Sequence, residues 1–212
     1  NTNNATQPNL GNATSAEFVE QFSNNNAWWR ETAQRLLIER QDQSVQRQLE
    51  QLAATAHSPT AVVHALWTLQ GLDVLSYDVL ASALSHDSPR VREQAVRLSE
   101  SRLADSEALR EAVLKLSADE DARVRFQTAL SLGEAPADHP ILSALAEILA
   151  AGAGDRWTRA AVLSSAHDHV HALLPGVWSR QVAADDLAIA TAEIAAIVGS
   201  RQKPDEIGAL LQ

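Results

Sequence analysis

The sequence predicts an all-α protein, and more narrowly an α-solenoid of about five helix pairs. Its 212 residues are rich in Ala and Leu, while aromatic residues make up only 4%. Apolar residues recur at helical spacing, and the apolar–polar alternation of half-buried strands is scarce. A turn and amphipathic helix that begin at Asp87 have a similar counterpart beginning at Asp119. A repeated unit of this kind is typical of stacked helix pairs.

The first part of the chain is predicted to contain five helices after a polar segment. Residues 1–14 are rich in Asn and Thr and are interpreted as a linker or tail. Ser15 is expected to cap a short helix, and a longer helix is expected from about Ala27 to Arg40. Ser58-Pro59 opens another that stops at Gly71, because Ser is a good N-cap and Pro suits the first helical position. The other two helices carry Val45, Leu49 and Leu52, then Tyr77, Leu80 and Leu84.

The second part is predicted to continue in the same way before the pattern loosens. Ser88-Pro89 opens one helix and Pro140 another, and Gly133 ends a helix between them. Residues 168–182 are irregular in pattern, and an Ala-rich helix is expected over 184–198. Lys203-Pro204 then looks like a fresh start, with acidic residues in the first turn where the helix dipole favours them. The remaining apolar sets are Val91, Ala95 and Leu98; Leu109, Val113 and Leu116; Val124, Thr128 and Leu132; and Leu142, Leu145 and Leu149.

The second helices of the pairs align at a common position. The aligned residues follow one another at intervals of 30 to 34 residues, and a small residue lies four positions later in most units. Such a period with two helices per unit predicts a solenoid in which each unit stacks on its neighbours. We therefore predict repeats over residues 15–167, with residues 168–212 continuing or capping them. The aligned residues are Trp29, Ala61, Val91, Val124 and Thr158.

These units resemble HEAT-type, armadillo-like repeats. The runs that carry the resemblance are Asp87 to Arg92, Glu120 to Arg125 and Asp155 to Arg159. In that family a turn Asp and the Arg after the Val position form a ladder between neighbouring units. The resemblance implies such a ladder here, interrupted in the second unit, where Val62 stands at the Arg position. Its members would be Arg30, Arg92, Arg125, Arg159, Asp87, Asp121 and Asp155.

A second resemblance is carried by the run from Asn26 to Arg40, which includes Trp28-Trp29-Arg30, and by the run from His64 to Leu69. These stretches are similar to the HEAT-repeat segment of large membrane-bound dehydrogenases of planctomycete-type bacteria. In those proteins a quinoprotein-like β-propeller precedes the repeats and a c-type cytochrome domain follows them. The resemblance implies that this chain belongs to a longer dehydrogenase–cytochrome c protein with a periplasmic or extracytoplasmic location. Any oxidoreductase activity would belong to that parent protein.

The charge and residue types argue against several classes of function. A formal net charge of −10 disfavours nucleic-acid binding, which needs a basic surface, and it also disfavours an anionic membrane surface. No apolar run is long enough to span a bilayer, so direct membrane insertion is not expected. The chain has no Cys, so it holds no thiolate nucleophile, Cys-ligated zinc or CxxCH haem attachment. It also has no Met, even at position 1, which favours a processed product or an excised piece.

His167 and His171 are the candidate metal ligands. They are four residues apart and would share one face of a helix, and Asp168 could add an oxygen ligand. Because no third ligand is fixed by the sequence, we interpret these residues as surface or capping residues, with a metal site as the alternative. We expect no metal and no cofactor in this chain.

The arginines and tryptophans are the candidate contact residues. The ladder arginines are expected to set the register between units, with carboxylate binding at an exposed end as the alternative. Trp29, Trp67 and Trp157 lie at or near repeat-core positions and are expected to pack in the core. Trp28 must point elsewhere and is the candidate for an exposed contact.

The sequence predicts a non-catalytic scaffold or protein-interaction domain, whose partners are neighbouring domains of the same polypeptide or another protein. One alternative is a free-standing HEAT adaptor that binds a separate protein. Another is an enzyme such as a HEAT-like lyase or a solenoid DNA glycosylase, although the acidic charge counts against DNA. Since no Ser-His-Asp spacing, phosphate loop, zinc motif or acid pair stands out, no catalytic or cofactor-binding residue is assigned.

Overall fold

In a computed structural model that describes residues 10–210, every regular element of those residues is an α-helix or a 3₁₀ helix. The prediction of an all-α protein is confirmed. Residues 1–9 of the predicted linker lie outside the described part of the chain, as do the last two residues. The chain divides into two compact units, Asn1–Val91 and Arg92–Gln212.

Residues 10–88, the described part of the first unit before α6 (Pro89–Ser99), contain five α-helices. Helices α2 (Ala27–Arg40) and α3 (Gln46–Thr55) both pack on α4 (Pro59–Gly71), and α1 (Ser15–Glu20) packs on α2. The core is formed by fully buried side chains, among them Phe18, Phe22, Leu37, Leu49, Leu66 and Leu69. The helices are α1 (Ser15–Glu20), α2 (Ala27–Arg40), α3 (Gln46–Thr55), α4 (Pro59–Gly71) and α5 (Tyr77–Leu84), with 3₁₀ turns at Gln21–Ser23 and Gln43–Val45.

Helix α6 (Pro89–Ser99) begins at the end of the first unit, and the second unit continues from Arg92. In the second unit α8 (Ala122–Leu132) packs on α10 (Arg156–Ser165). Helix α9 (His139–Ala151) packs on both, and α11 (Leu174–Trp178) packs on α9. The further helices are α7 (Glu107–Leu114), α8 (Ala122–Leu132), α9 (His139–Ala151), α10 (Arg156–Ser165), α11 (Leu174–Trp178), α12 (Ala184–Arg201) and α13 (Pro204–Leu210). The 3₁₀ segments are Glu100–Arg102, Lys115–Ala118 and His167–Leu173.

Two predictions of local structure are wrong. The first helix is capped by Thr14 rather than Ser15, since the Thr14 hydroxyl and the Glu17 side chain form a reciprocal capping box. The stretch 168–182 was expected to be irregular, yet it holds most of a 3₁₀ segment and the whole of α11. Pro175 lies in the first turn of α11, where its missing N–H costs nothing.

The position four residues after the aligned one is buried in every unit. A small or β-branched side chain at this position lets a neighbouring helix approach closely. A buried side chain therefore recurs at the spacing of the aligned positions. The residues are Ala33, Ala65, Ala95, Thr128 and Val162, each at 0% exposure.

Candidate functional site

The arginine that follows the aligned position makes the same contact in three units. In each, an Nη1 atom donates to the carbonyl oxygen of the residue six positions earlier. That carbonyl lies in the turn leading into the arginine's own helix. The arginine therefore gives a hydrogen-bond donor to a carbonyl oxygen outside the helical hydrogen-bond pattern. We call this contact the arginine clamp. Its pairs are Arg30 with Asn24 at 2.7 Å, Arg125 with Asp119 at 2.6 Å and Arg159 with Ala153 at 2.8 Å.

Arg92 forms a bidentate pair with Asp119. Its Nε donates to Oδ2 at 2.7 Å and its Nη2 donates to Oδ1 at 2.8 Å. The two side chains are only 10% and 5% exposed. Burial alone would raise the pKa of Asp119, but hydrogen bonds from Arg92 and from the backbone of Asp121 hold this pKa below its ordinary value. Asp119 thus joins α6 to the turn before α8 through a fully paired carboxylate.

Arg159 joins α10 to α12. Besides its clamp contact, its Nε donates to Oε2 of Glu193 at 2.9 Å. Arg159 is buried, while about two-fifths of the Glu193 side chain is exposed (40%). The Arg159–Glu193 ion pair therefore links α10 to α12 at the surface between the two helices.

The aspartates of the implied ladder lie at helix starts. The Asp121 carboxylate accepts from the backbone N–H of Arg123 at 2.8 Å, and that of Asp155 accepts from the N–H of Thr158 at 2.8 Å. Asp87 is exposed in the turn before α6. Arg92 pairs with Asp119 and, at 3.8 Å, with Glu120, and Arg159 pairs with Glu193. A ladder built from the turn aspartates stays a prediction of the resemblance.

The histidine segment is not α-helical. His167–Leu173 is a 3₁₀ segment, in which His167 has a φ of 41° and His169 has non-helical angles. Residues three apart, rather than four, share a face in a 3₁₀ helix. The spacing argument that placed His167 and His171 on one face therefore does not apply. Within residues 10–210, no group of three or more His, Asp or Glu residues is placed to hold a metal ion.

Asp168 belongs instead to a charge cluster that sequence reasoning missed. Lys203 Nζ lies 3.4 Å from Asp168 and 3.0 Å from Glu206, and Arg201 lies 3.6 Å and 3.5 Å from the same two carboxylates. The hydrogen bond from Lys203 lowers the pKa of the buried Glu206. The cluster ties α13 and the end of α12 to the 3₁₀ segment. Its local signal is the Lys203–Glu206 spacing of three, which brings two side chains of one helix turn together.

His64 is a half-buried titratable group in the first unit. Its Nδ1 lies 2.6 Å from Oε1 of Gln34, and its ring stacks on Phe22 with 5.4 Å between centroids. Because Gln34 Oε1 can only accept, the contact requires a proton on Nδ1. Burial lowers the pKa of His64, and the charge of Arg30 lowers it further against the opposing effect of Glu31.

The tryptophans divide differently from the prediction. Trp28 is 57% exposed, and its ring meets that of Trp29 edge to face at 4.6 Å between centroids. Trp157, expected in the core, is 61% exposed, so that prediction is wrong. It lies one residue before the aligned position, and one residue turns a helix by about 100°, away from the buried face. Trp178 is also exposed and donates through Nε1 to Thr191.

Among the surface grooves formed by described residues of the first unit, one has a volume of about 360 Å³ and another about 220 Å³. The smaller one brings Asp78, Ser82 and His86 to one surface. Nδ1 of His86, however, accepts from the backbone N–H of Ser88 at 2.9 Å. Neutral His86 therefore carries its proton on Nε2 and cannot accept a serine proton there. The larger groove is lined by Val19, Glu20, Ser23, Gln48, Gln51, Leu52 and Thr55.

A third groove lies between α10 and α12 in the second unit and has a volume of about 540 Å³. Exposed Trp157 forms part of its wall, and the guanidinium of Arg156 stacks over the Trp157 ring at 4.6 Å from the centroid. We call it the Trp157 groove. Its residues are Arg156, Trp157, Ala160, Leu163, Ser164, Glu193, Ala196 and Ile197.

No helix among the described residues has the length and apolar character needed to cross a membrane. No family model matches the sequence, and no curated protein matches it.

Proposed function

We propose that the helices form a right-handed α-solenoid of about five HEAT-like pairs. The observation that supports this most strongly is the arginine clamp, which recurs at one position in three units. The buried position three residues after the clamp arginine recurs with it. Units that repeat both their turn and their packing position are suited to stacking on one another.

The chain acts as a non-catalytic scaffold or protein-interaction domain. Its buried arginines and acids are engaged in clamps, caps and ion pairs, which are structural roles. Its exposed aromatic side chains include Trp28 and Trp157. Tryptophan is a residue type that supplies much of the contact energy at protein interfaces. By the resemblance of the Trp28-Trp29-Arg30 run, the domain holds a dehydrogenase propeller and a c-type cytochrome together in one polypeptide.

The test is a deletion of residues 15–210 from the full-length natural protein. We expect substrate oxidation and the haem spectrum to persist, while electron transfer from the first centre to the haem slows. Loss of substrate oxidation itself, with the flanking domains folded, would contradict a non-catalytic role.

The free-standing adaptor is the second candidate, since exposed tryptophans suit a separate protein partner equally well. Reading the coding sequence on both sides of this chain separates the two. Flanking propeller and CxxCH segments favour the dehydrogenase scaffold, and their absence favours the adaptor.

A further inference from the structure

The Trp157 groove has the shape of a binding site for a helix. Its two walls are neighbouring helices, and small side chains, Ala160 and Ala196, lie along it. Its volume of about 540 Å³ exceeds those of the two grooves in the first unit. Side chains of a third helix pack readily into the furrow between two others, where small residues let the backbones approach.

The composition of the groove favours an apolar occupant. Trp157 is exposed over 61% of its surface, and the neighbouring walls carry Leu163 and Ile197. A large aromatic side chain in a concave apolar surface is the common anchor of a protein interface, because covering it removes much apolar area from water.

The charges of the groove favour an acidic residue on that occupant. Glu193, which lines it, is held by the Nε of Arg159 at 2.9 Å. Arg156 stacks on Trp157 and forms no salt bridge within the described part of the chain. The uncompensated charge at the groove is therefore positive, on a chain whose net charge is −10. A second copy of this acidic chain is a poor occupant, since like-charged molecules repel.

We propose that the Trp157 groove binds an amphipathic helix of a protein partner, which places a large apolar residue against Trp157 and a carboxylate, within one turn of it, on Arg156. The proposal rests on the proposed function, and names the surface and the chemistry of the partner. Helix-in-groove recognition of this kind uses apolar residues three and four positions apart.

The test is site-specific photo-crosslinking of the full-length protein in its own cells. The photoreactive residue p-benzoylphenylalanine replaces Ala160 in the groove or, as matched controls, the exposed Ala104 and Ser143 of the same unit. We expect a crosslink from position 160 to a segment with apolar residues at helical spacing and a carboxylate within one turn. Mass spectrometry of the crosslinked peptide identifies the segment.

Two substitutions then test the anchors. R156E is expected to lower the crosslink yield from position 160 about fivefold, and W157A at least about tenfold. Both residues are exposed in the first turn of α10, where an added acid suits the helix dipole. Y77A, which removes an exposed aromatic side chain from the first unit, is the matched control and is expected to leave the yield unchanged. Equal circular dichroism spectra establish that the variants fold.

The outcomes distinguish this proposal from the proposed function. Crosslinks only from positions outside the groove overturn the groove and leave a scaffold role intact. A crosslink from position 160 to a second copy, or to a segment without a carboxylate, also overturns it, as does a yield that R156E and W157A leave unchanged. Absence of protein crosslinks from all positions contradicts both.

Discussion

At the scale of single residues, Asp119 makes contacts through both its carboxylate and its backbone carbonyl. Its carboxylate accepts two hydrogen bonds from Arg92 and one from the N–H of Asp121, and its carbonyl accepts from the clamp of Arg125. One acidic residue thus fixes a turn, a helix start and an arginine of a different helix. Removing its charge leaves the buried guanidinium of Arg92 with only the exposed Glu120, 3.8 Å away, as a counter-ion. Breaking a buried pair in this way costs far more than breaking a surface pair.

We expect D119N to lower the free energy of unfolding by about 3 kcal/mol at pH 7, because Asn keeps the shape but not the charge. Urea denaturation followed by circular dichroism measures the change. The matched control is E120Q. Glu120 is 88% exposed and lies 3.8 Å from Arg92. E120Q should therefore change the free energy of unfolding by no more than about 0.5 kcal/mol. Equal effects of the two substitutions would contradict the assignment of the buried pair.

The pH dependence of this pair has a defined sign. The pKa of Asp119 is lowered in the folded state, so its contribution is full above the unfolded pKa of about 3.9 and is lost as pH falls through the lowered value. The difference in free energy of unfolding between the unaltered chain and D119N should therefore become smaller below about pH 4.

His64, in the first unit, predicts a loss of stability in the same direction, as pH falls, but in a higher pH window than Asp119. Its folded pKa is lowered by burial and by Arg30, so the neutral ring is favoured in the folded state. Stability is full above the unfolded pKa of about 6.5 and falls as pH drops below it towards the folded value. H64Q keeps a donor for Gln34 without a titrating ring. We expect the urea midpoint to fall less in H64Q than in the unaltered chain between pH 7.5 and pH 5. Parallel pH profiles of the two would refute the assignment.

At the scale of helices, close approach limits which side chains the ends can carry. A Cβ on Gly133, at the end of α8, would lie 2.9 Å from Oγ and 3.1 Å from the backbone Cα of Ser165 in α10. A backbone atom cannot rotate away, so the two helices would have to separate.

We expect G133A to destabilise the protein by about 1–3 kcal/mol. The matched control is G199A in the interior of α12, where nothing lies within 4 Å of an added Cβ. There the gain in helix propensity should stabilise by about 0.5–1 kcal/mol. Thermal unfolding of both variants measures the signs, and a stabilising G133A would contradict the close packing of α8 on α10.

The charge cluster holds the last helix in place. Glu206 is buried and pairs with Lys203 and Arg201. We expect E206Q to release α13 and to speed tryptic cleavage after Arg201, measured by the decay of intact chain. Asp205 is an exposed acid in the same turn and forms no such pair within the described residues. The control substitution D205N should therefore leave the cleavage rate unchanged. Equal acceleration by D205N would point to a general loss of acid at the helix start.

The helices were predicted best where their signals are local. The bounds of α2 and α4 follow directly from the apolar spacing, the Ser58-Pro59 start and the Gly71 end. The partner of Arg92 lies 27 residues away, and its choice depends on how two helices pack, which no local pattern encodes. Trp157 was misplaced because a single-residue change of register moves a side chain from the core face to solvent.

At the scale of the whole molecule, two descriptions of the same helices differ in how stability is shared. In a solenoid each unit contacts only its neighbours, so a local defect stays local. In a single cooperative domain every part unfolds together, so a destabilising substitution anywhere increases the opened population of every helix.

Native-state hydrogen exchange of D119N distinguishes these descriptions. If the proposed solenoid is correct, exchange should accelerate strongly in α7, α8 and α9, whose turns and contacts adjoin Asp119 in the second unit, while amides of α2 and α3 keep their rates. In the affected helices, the opening free energy measured by exchange should fall by nearly the full loss in unfolding free energy, since Asp119 fixes the start of α8. E120Q again serves as the control and should leave every rate unchanged. Uniform acceleration across the described helices would overturn the solenoid and favour one cooperative domain, because a repeat array has no means of transmitting a single lost ion pair to units it does not touch.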